Sequence, residues 1–153
     1  MGRINMGRVI LGGLLAGLII NIVEGLLNAV ILEKDWTAVR AALSHPDPVS
    51  VKQVIAFNVW GFTVGVLLVW LYAAIRPRYG AGPRTALCAG AAVWMLAFAL
   101  AQAVPVFLHL FPVGLSVETV AAELVAVLIA AVAGAAVYKE DGAEAPKAVG
   151  HAA

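Results

Sequence analysis

The chain has 153 residues, of which 63% are hydrophobic and 12% are charged, so it has too few polar side chains to coat a soluble globule. Its formal net charge of +1 gives no general positive field, and we do not expect nucleic acid as a partner. The single cysteine, Cys88, excludes an internal disulfide. We predict a single-domain integral membrane protein whose main partner is the lipid bilayer.

Four segments are apolar over about 20 residues, the length at which a helix crosses a hydrocarbon core roughly 30 Å thick. They cover residues 9–32, 54–75, 85–108 and 117–138. Ser50 and Gln53 have capping-box spacing before the second segment, and Ser116 can cap the fourth. No segment alternates polar and apolar residues as a barrel strand does. We predict an all-α fold, a transmembrane four-helix bundle over 1–138, followed by a disordered cytoplasmic tail over 139–153.

The lysines and arginines are divided unequally between the two sides of these predicted spans. One side carries Arg3, Arg8, Arg76, Arg78, Arg84, Lys139 and Lys147, and the other carries Lys34, Arg40 and Lys52. Because cytoplasmic loops are enriched in these residues, the division predicts that both termini are cytoplasmic.

The first external loop, from Glu33 to Lys52, is long enough to contain structure of its own. Trp36, Val39 and Leu43 fall on one helical face, the pattern of an amphipathic helix. We therefore predict a short helix that lies at the membrane interface.

Small residues recur at helical spacing in three of the predicted spans. They are Gly13 and Gly17 in the first, Gly61 and Gly65 in the second, and Ala126, Ala130 and Gly134 in the fourth. Such spacing lets helix backbones approach closely, so these faces are predicted to point into a compact bundle.

Six acidic and amide side chains lie well inside the spans. They are Asn21, Glu24, Asn28, Asn58, Gln102 and Glu123. At 1.5 Å per residue, Glu24, Gln102 and Glu123 lie at a similar depth in the outer half of the bilayer. Asn28 and Asn58 lie one turn nearer the outer surface, and no lysine or arginine lies at that level. Together the six predict one polar cluster that forms a ligand-binding site.

The two carboxyl groups need compensation that the spans do not supply. A proton, a bound cation with amide oxygens as further ligands, or a charge from a partner would each serve. An acidic residue in the middle of a transmembrane helix raises the free energy of membrane insertion by about 2.5–3.5 kcal/mol. Because two such residues are costly to keep, Glu24 and Glu123 are functional candidates. The alternative is a structural role. Each amide side chain can form an interhelical hydrogen bond worth about 0.6 kcal/mol, and the Glu123 side chain can reach water by tilting toward the surface.

Other chemistry finds little support in the sequence. His109 lacks the histidine or cysteine partners that a transition metal needs, so the metal, if there is one, is unknown. No serine or cysteine has a histidine and an acid placed beside it. We predict neither an enzyme nor a cofactor.

Two segments resemble small bacterial four-span membrane proteins of unknown function. Residues 28–36, Asn-Ala-Val-Ile-Leu-Glu-Lys-Asp-Trp, are similar to the end of the first span in those families, and residues 70–80 are similar to the end of the second. The resemblance implies a four-helix membrane protein and no particular activity. Small multidrug resistance transporters offer an analogy, with four spans and an acid in the first that corresponds to Glu24. The long external loop, the second acid and the charge asymmetry depart from that family.

These patterns leave two hypotheses. In the first, the polar cluster binds or transports a proton, a cation or a small cationic solute, with a homo-oligomer supplying any wider pathway. In the second, the chain is a non-catalytic accessory or assembly subunit of a larger membrane complex.

Overall fold

The computed structural model describes residues 4–45 and 47–140, and within these ranges the chain forms helices and connecting loops without strands. The α-helices are α1 (Met6–Leu26), α2 (Glu33–Ala42), α3 (Val51–Tyr79), α4 (Pro83–Trp94), α5 (Leu100–Phe107) and α6 (Val113–Val137). Two π-helical segments are continuous with them: π1 (Leu27–Ile31) follows α1, and π2 (Met95–Ala99) joins α4 to α5. The prediction of an all-α fold is confirmed.

Over residues 4–45 and 47–140, four continuous helices are long and apolar enough to cross a membrane. They are Met6–Ile31, Val51–Tyr79, Pro83–Phe107 and Val113–Val137. Each overlaps one predicted span and starts two to four residues earlier. Of the predicted tail over 139–153, residues 141–153 lie outside the described residues.

The helix ends follow local signals in two cases and depart from them in a third. Ser50 and Gln53 form the predicted capping box at α3, with Ser50 N donating to Gln53 Oε1 over 2.8 Å. Asn5 caps α1 by accepting from Arg8 N. Ser116 is not a cap: α6 starts one turn earlier, and Ser116 is buried within it.

The bundle closes around α1, α3, α4 and α6 in that order, because α1 and α4 each pack against both α3 and α6. Glycines allow the closest approaches. A Cβ atom on Gly65 would overlap the backbone of Gly13 and Gly17, and one on Gly12 would lie 2.5 Å from the carbonyl oxygen of Gly134. The first helix is therefore in near backbone contact with both of its neighbours.

A second, smaller apolar cluster closes one end of the bundle, which we call the α2 end. Leu32, Val39 and Leu115 are buried there, and Trp36 and Phe111 pack against them. The rings of Trp36 and Phe111 meet edge to face, with centroids 5.2 Å apart. These contacts fasten α2 to the loop that precedes α6. Leu43, predicted to share that face, follows the end of α2 and is exposed.

Candidate functional site

The two membrane-level acids meet in the structure. Glu24 lies near the end of α1 and Glu123 lies in α6, and their carboxyl groups are close enough to share a hydrogen bond. Glu123 is only 8% exposed, and Glu24 is half-buried. An ionised carboxylate can only accept hydrogen bonds, so a bond between two carboxyl groups requires at least one of them to carry a proton.

Asn28 and Trp36 extend this pair into a chain of side-chain hydrogen bonds. The Asn28 amide nitrogen donates to Glu24 Oε2 over 2.8 Å and to the Glu24 backbone carbonyl over 3.1 Å. The Trp36 indole N–H donates to Asn28 Oδ1 over 2.8 Å. Because an indole nitrogen can only donate, it assigns the amide oxygen to Trp36 and the amide nitrogen to Glu24. The Asn28 carbonyl, predicted as a ligand oxygen, is thus already engaged.

The π1 segment adjoins this chain. Its wide turn is closed by the bond from Leu32 N to the Leu27 carbonyl over 2.8 Å, and α2 begins at the next residue, Glu33. Single π turns inside helices occur often at functional sites. Here the turn separates Asn28 in π1 from Trp36 in α2 while both remain in one hydrogen-bonded chain.

The other three predicted site residues make their side-chain hydrogen bonds elsewhere. Asn21 donates to the Asn58 backbone carbonyl over 3.1 Å and so links α1 to α3. The Asn58 side chain is exposed and donates to the Val54 carbonyl of its own helix over 2.9 Å. Gln102 donates to the Ser116 hydroxyl over 3.4 Å. The carboxyl-pair site is therefore defined here as Glu24, Glu123, Asn28 and Trp36.

Two tryptophans near the site are not among the predicted site residues. Trp36 completes the hydrogen-bonded chain, and Trp94 Nε1 donates to the Val120 carbonyl over 2.9 Å, three residues before Glu123. A buried indole N–H normally finds an acceptor, which is the only signal that could have drawn attention to them. The acceptor itself depends on how the helices pack.

Among the described residues, no lysine, arginine or histidine forms an ion pair with Glu24 or Glu123. The ion pair found there, Arg76 with Glu140 at 3.6 Å, lies at the opposite end of the bundle. Among the same residues, no group of three or more histidine, cysteine, aspartate or glutamate side chains is close enough to hold a metal ion, and His109 is exposed.

An open groove of about 710 Å³ lies at the α2 end, between α2 and the loop before α6. Asp35, His109 and Glu118 contribute polar groups to it, while Val39 and Phe111 contribute apolar surface. Since Val39 and Phe111 also belong to the apolar cluster around Trp36, the groove and the carboxyl-pair site share one wall.

Fold and site together define a class: over the described residues, a helical bundle with four helices able to cross a membrane and two carboxyl groups held close together inside it. Beyond that class, no protein-family model, no curated protein and no solved structure matches the chain. No family model supports the resemblance of residues 28–36 and 70–80 to small four-span proteins.

Proposed function

We propose that this chain is an integral protein of the cytoplasmic (inner) membrane with both termini in the cytoplasm. The positive-inside rule supports this orientation. Among the described residues, the end of the bundle opposite α2 carries Arg8, Arg76, Arg78, Arg84 and Lys139, and the α2 end carries Lys34, Arg40 and Lys52. In this orientation α2 is an interfacial helix on the outer surface, with Trp36 and Val39 turned toward the bundle and Lys34 and Asp35 exposed.

Labelling of single cysteines tests the orientation. In a Cys88→Ser background, a charged maleimide added to intact cells should label His45→Cys in the loop after α2. It should leave Ala81→Cys, between α3 and α4, unlabelled until the membrane is opened. The reverse pattern would invert the topology, and labelling of both sites in intact cells would contradict a single orientation.

Within this protein, the Glu24–Glu123 pair binds a proton and exchanges it for a cation or a small cationic solute. The closeness of the two carboxyl groups carries this proposal, because a hydrogen bond between them requires one proton. Since no described lysine or arginine forms an ion pair with either acid, loss of that proton would leave two adjacent negative charges in a poorly hydrated site. A cation that replaces the proton relieves the same repulsion. Proton and cation therefore compete for one place.

Flux measurements on the purified protein in liposomes test this role. One arm follows proton entry driven by a potassium diffusion potential. The other follows proton movement against an imposed gradient of tetraethylammonium, which cannot itself gain or lose a proton. We expect Glu24→Gln and Glu123→Gln each to reduce the flux at least tenfold, because a neutral amide cannot exchange a proton. Asp47→Asn is the matched control, since it also replaces an acid with an amide, but Asp47 is exposed in the loop after α2 and lines neither the pair nor the groove.

Flux that persists in both amide variants would remove the pair from the mechanism. Wild-type liposomes without flux in either arm would contradict transport, although the pair could still bind a proton without passing it across the membrane.

One observation favours the second candidate, a non-catalytic accessory or assembly subunit. In the third long helix, Pro83–Phe107, 17% of the most apolar stretch is buried inside the bundle. The corresponding share in the other three long helices is 28–39%. A partner helix or a second copy of the chain could cover this surface. The glycines that the sequence placed on the packing faces of α1 and α3, in contrast, lie in close contact inside the bundle: Gly13, Gly17, Gly61 and Gly65. Purification in a mild detergent distinguishes the candidates: a stoichiometric partner together with no intrinsic flux supports the accessory role.

A further inference from the structure

The two carboxyl groups of the pair have unequal hydrogen-bond partners. Glu24 accepts from the Asn28 amide nitrogen over 2.8 Å as well as bonding to Glu123. Glu123 has its bond to Glu24 and no second side-chain partner among the described residues. A proton on Glu123 leaves Glu24 as an anion with two donors, whereas a proton on Glu24 leaves Glu123 as an anion with one. Hydrogen bonds to an ionised acceptor are roughly twice as strong as neutral ones, so the first arrangement is favoured.

This preference depends on which end of the Asn28 amide faces Glu24. If the amide rotates by half a turn, its oxygen faces the Glu24 carboxylate, and that contact is repulsive unless Glu24 carries the proton. The Trp36 indole N–H opposes the rotation by holding Asn28 Oδ1 at 2.8 Å. The bond from the amide nitrogen to the Glu24 backbone carbonyl, at 3.1 Å, favours the same orientation.

We propose that Trp36 is a positioning residue: by fixing the Asn28 amide it keeps the shared proton on Glu123, so that docking of α2 controls where the proton resides. When Trp36 withdraws, the amide turns and the proton passes across the existing hydrogen bond from Glu123 to Glu24. The inference rests on the proposed function, since it requires that the pair hold a proton.

The packing of α2 makes such control physically reasonable. Trp36 is held by the edge-to-face contact with Phe111 and lies in the apolar cluster with Val39 and Leu115. Val39, Phe111 and Leu115 also line the 710 Å³ groove. A solute that enters the groove therefore contacts the residues that hold Trp36 in place. A shift of Trp36 would be passed to Glu24 through two hydrogen bonds, from Trp36 to Asn28 and from Asn28 to Glu24.

The test uses dicyclohexylcarbodiimide, which modifies protonated carboxyl groups in apolar surroundings, on the full chain in nanodiscs. Mass spectrometry of peptides then gives the ratio of label on Glu123 to label on Glu24. We expect label mainly on Glu123 in the wild type. Trp36→Phe keeps an aromatic ring against Phe111 but lacks the N–H, and we expect it to lower the ratio about fivefold, the effect of one neutral hydrogen bond.

Trp94→Phe is the matched control, because Trp94 also donates to an oxygen, the Val120 carbonyl, but lies outside the chain to Glu24. Its ratio should equal that of the wild type. Asn28→Ala removes the donor entirely and should lower the ratio at least as far as Trp36→Phe, which provides a second test if that variant does not fold.

The outcomes separate this inference from the proposed function. Label on neither glutamate overturns the proton-holding pair and the inference with it. Label mainly on Glu24 in the wild type, or a ratio that neither Trp36→Phe nor Asn28→Ala changes, overturns the inference alone. A ratio that Trp94→Phe lowers as much as Trp36→Phe does would show a general loss of packing and would also overturn it.

Discussion

The contact between α1 and α3 makes Gly65→Ala a sharp test of the bundle. A Cβ atom at residue 65 would lie 2.6 Å from Gly17 Cα and would also overlap the Gly13 carbonyl oxygen and the Gly17 nitrogen. All three are backbone atoms, so none can rotate away as a side-chain tip could. Since ordinary van der Waals contact begins at 3.4 Å, relieving the contact with Gly17 Cα alone requires a separation of about 0.8 Å, and the two nearer atoms require more.

Separation of this size costs interhelical dispersion energy along the whole contact. Overpacking in a close-packed interior typically destabilises by about 1–3 kcal/mol. An alanine in a helix also gains about 1 kcal/mol of intrinsic propensity over glycine, and this gain must be removed by a control. Gly25→Ala is such a control, because a Cβ there meets nothing within 4 Å and the residue lies in α1 itself.

Reversible unfolding in mixed micelles, followed by tryptophan fluorescence, gives the difference between the two variants. We expect Gly65→Ala to have a free energy of unfolding about 1–3 kcal/mol below that of Gly25→Ala, because the propensity gain is common to both. Equal free energies of unfolding would mean that α1 and α3 do not meet at these glycines, and the packing described above would be wrong.

Three further predictions concern other parts of the bundle. Gly134→Ala would place a Cβ 2.9 Å from the Gly12 carbonyl oxygen, so it should cost about 1–3 kcal/mol in the same unfolding assay and reduce carbodiimide labelling of Glu123 by loosening α6 from α1; unchanged stability would contradict that contact. Ser50→Ala removes the hydroxyl that caps α3 and should lower the free energy of unfolding by about 0.5–2 kcal/mol, whereas no loss would mean that the cap is not formed in solution. Cys88 is exposed on the apolar third helix, so a charged maleimide should modify it only after the membrane is dissolved; rapid reaction in intact liposomes would show that this surface faces water.

The sequence predicted the helices well because membrane crossing depends on apolar length, which a single chain displays directly. It erred at the start of α6, where Ser116 has the chemistry of a cap but the helix begins at Val113. A capping residue marks a permitted helix start, and the apolar residues before it decided where this helix begins. The π turns had no sequence signal at all, since they arise when a long helix accommodates one extra residue against its neighbours.

Counting residues along each span predicted how deep the site residues lie in the bilayer, but not which way their side chains face around the helix. Because helices rise by a constant amount per residue, Glu24 and Glu123 could be assigned to one level, and the structure brings their carboxyl groups together. Asn58 was assigned to the polar cluster by the same counting, yet its side chain is exposed and bonded to its own helix. Which way a helix turns its faces depends on contacts with other helices, and the chain alone does not display them.

Proton content distinguishes the carboxyl pair from the other polar groups inside the bundle. Asn21, Trp94 and Thr119 each donate to a backbone carbonyl, and such bonds are complete without any added ion. Neutral bonds of this kind fit the role of interhelical or local stabilisation, worth a fraction of a kcal/mol to about 1 kcal/mol each. Glu24 and Glu123 cannot complete their mutual bond without a proton taken from outside. If holding the helices together were the only requirement, an amide pair would meet it with no charge to compensate. This difference is the reason why we propose proton exchange, and not structural stabilisation alone, for the two acids.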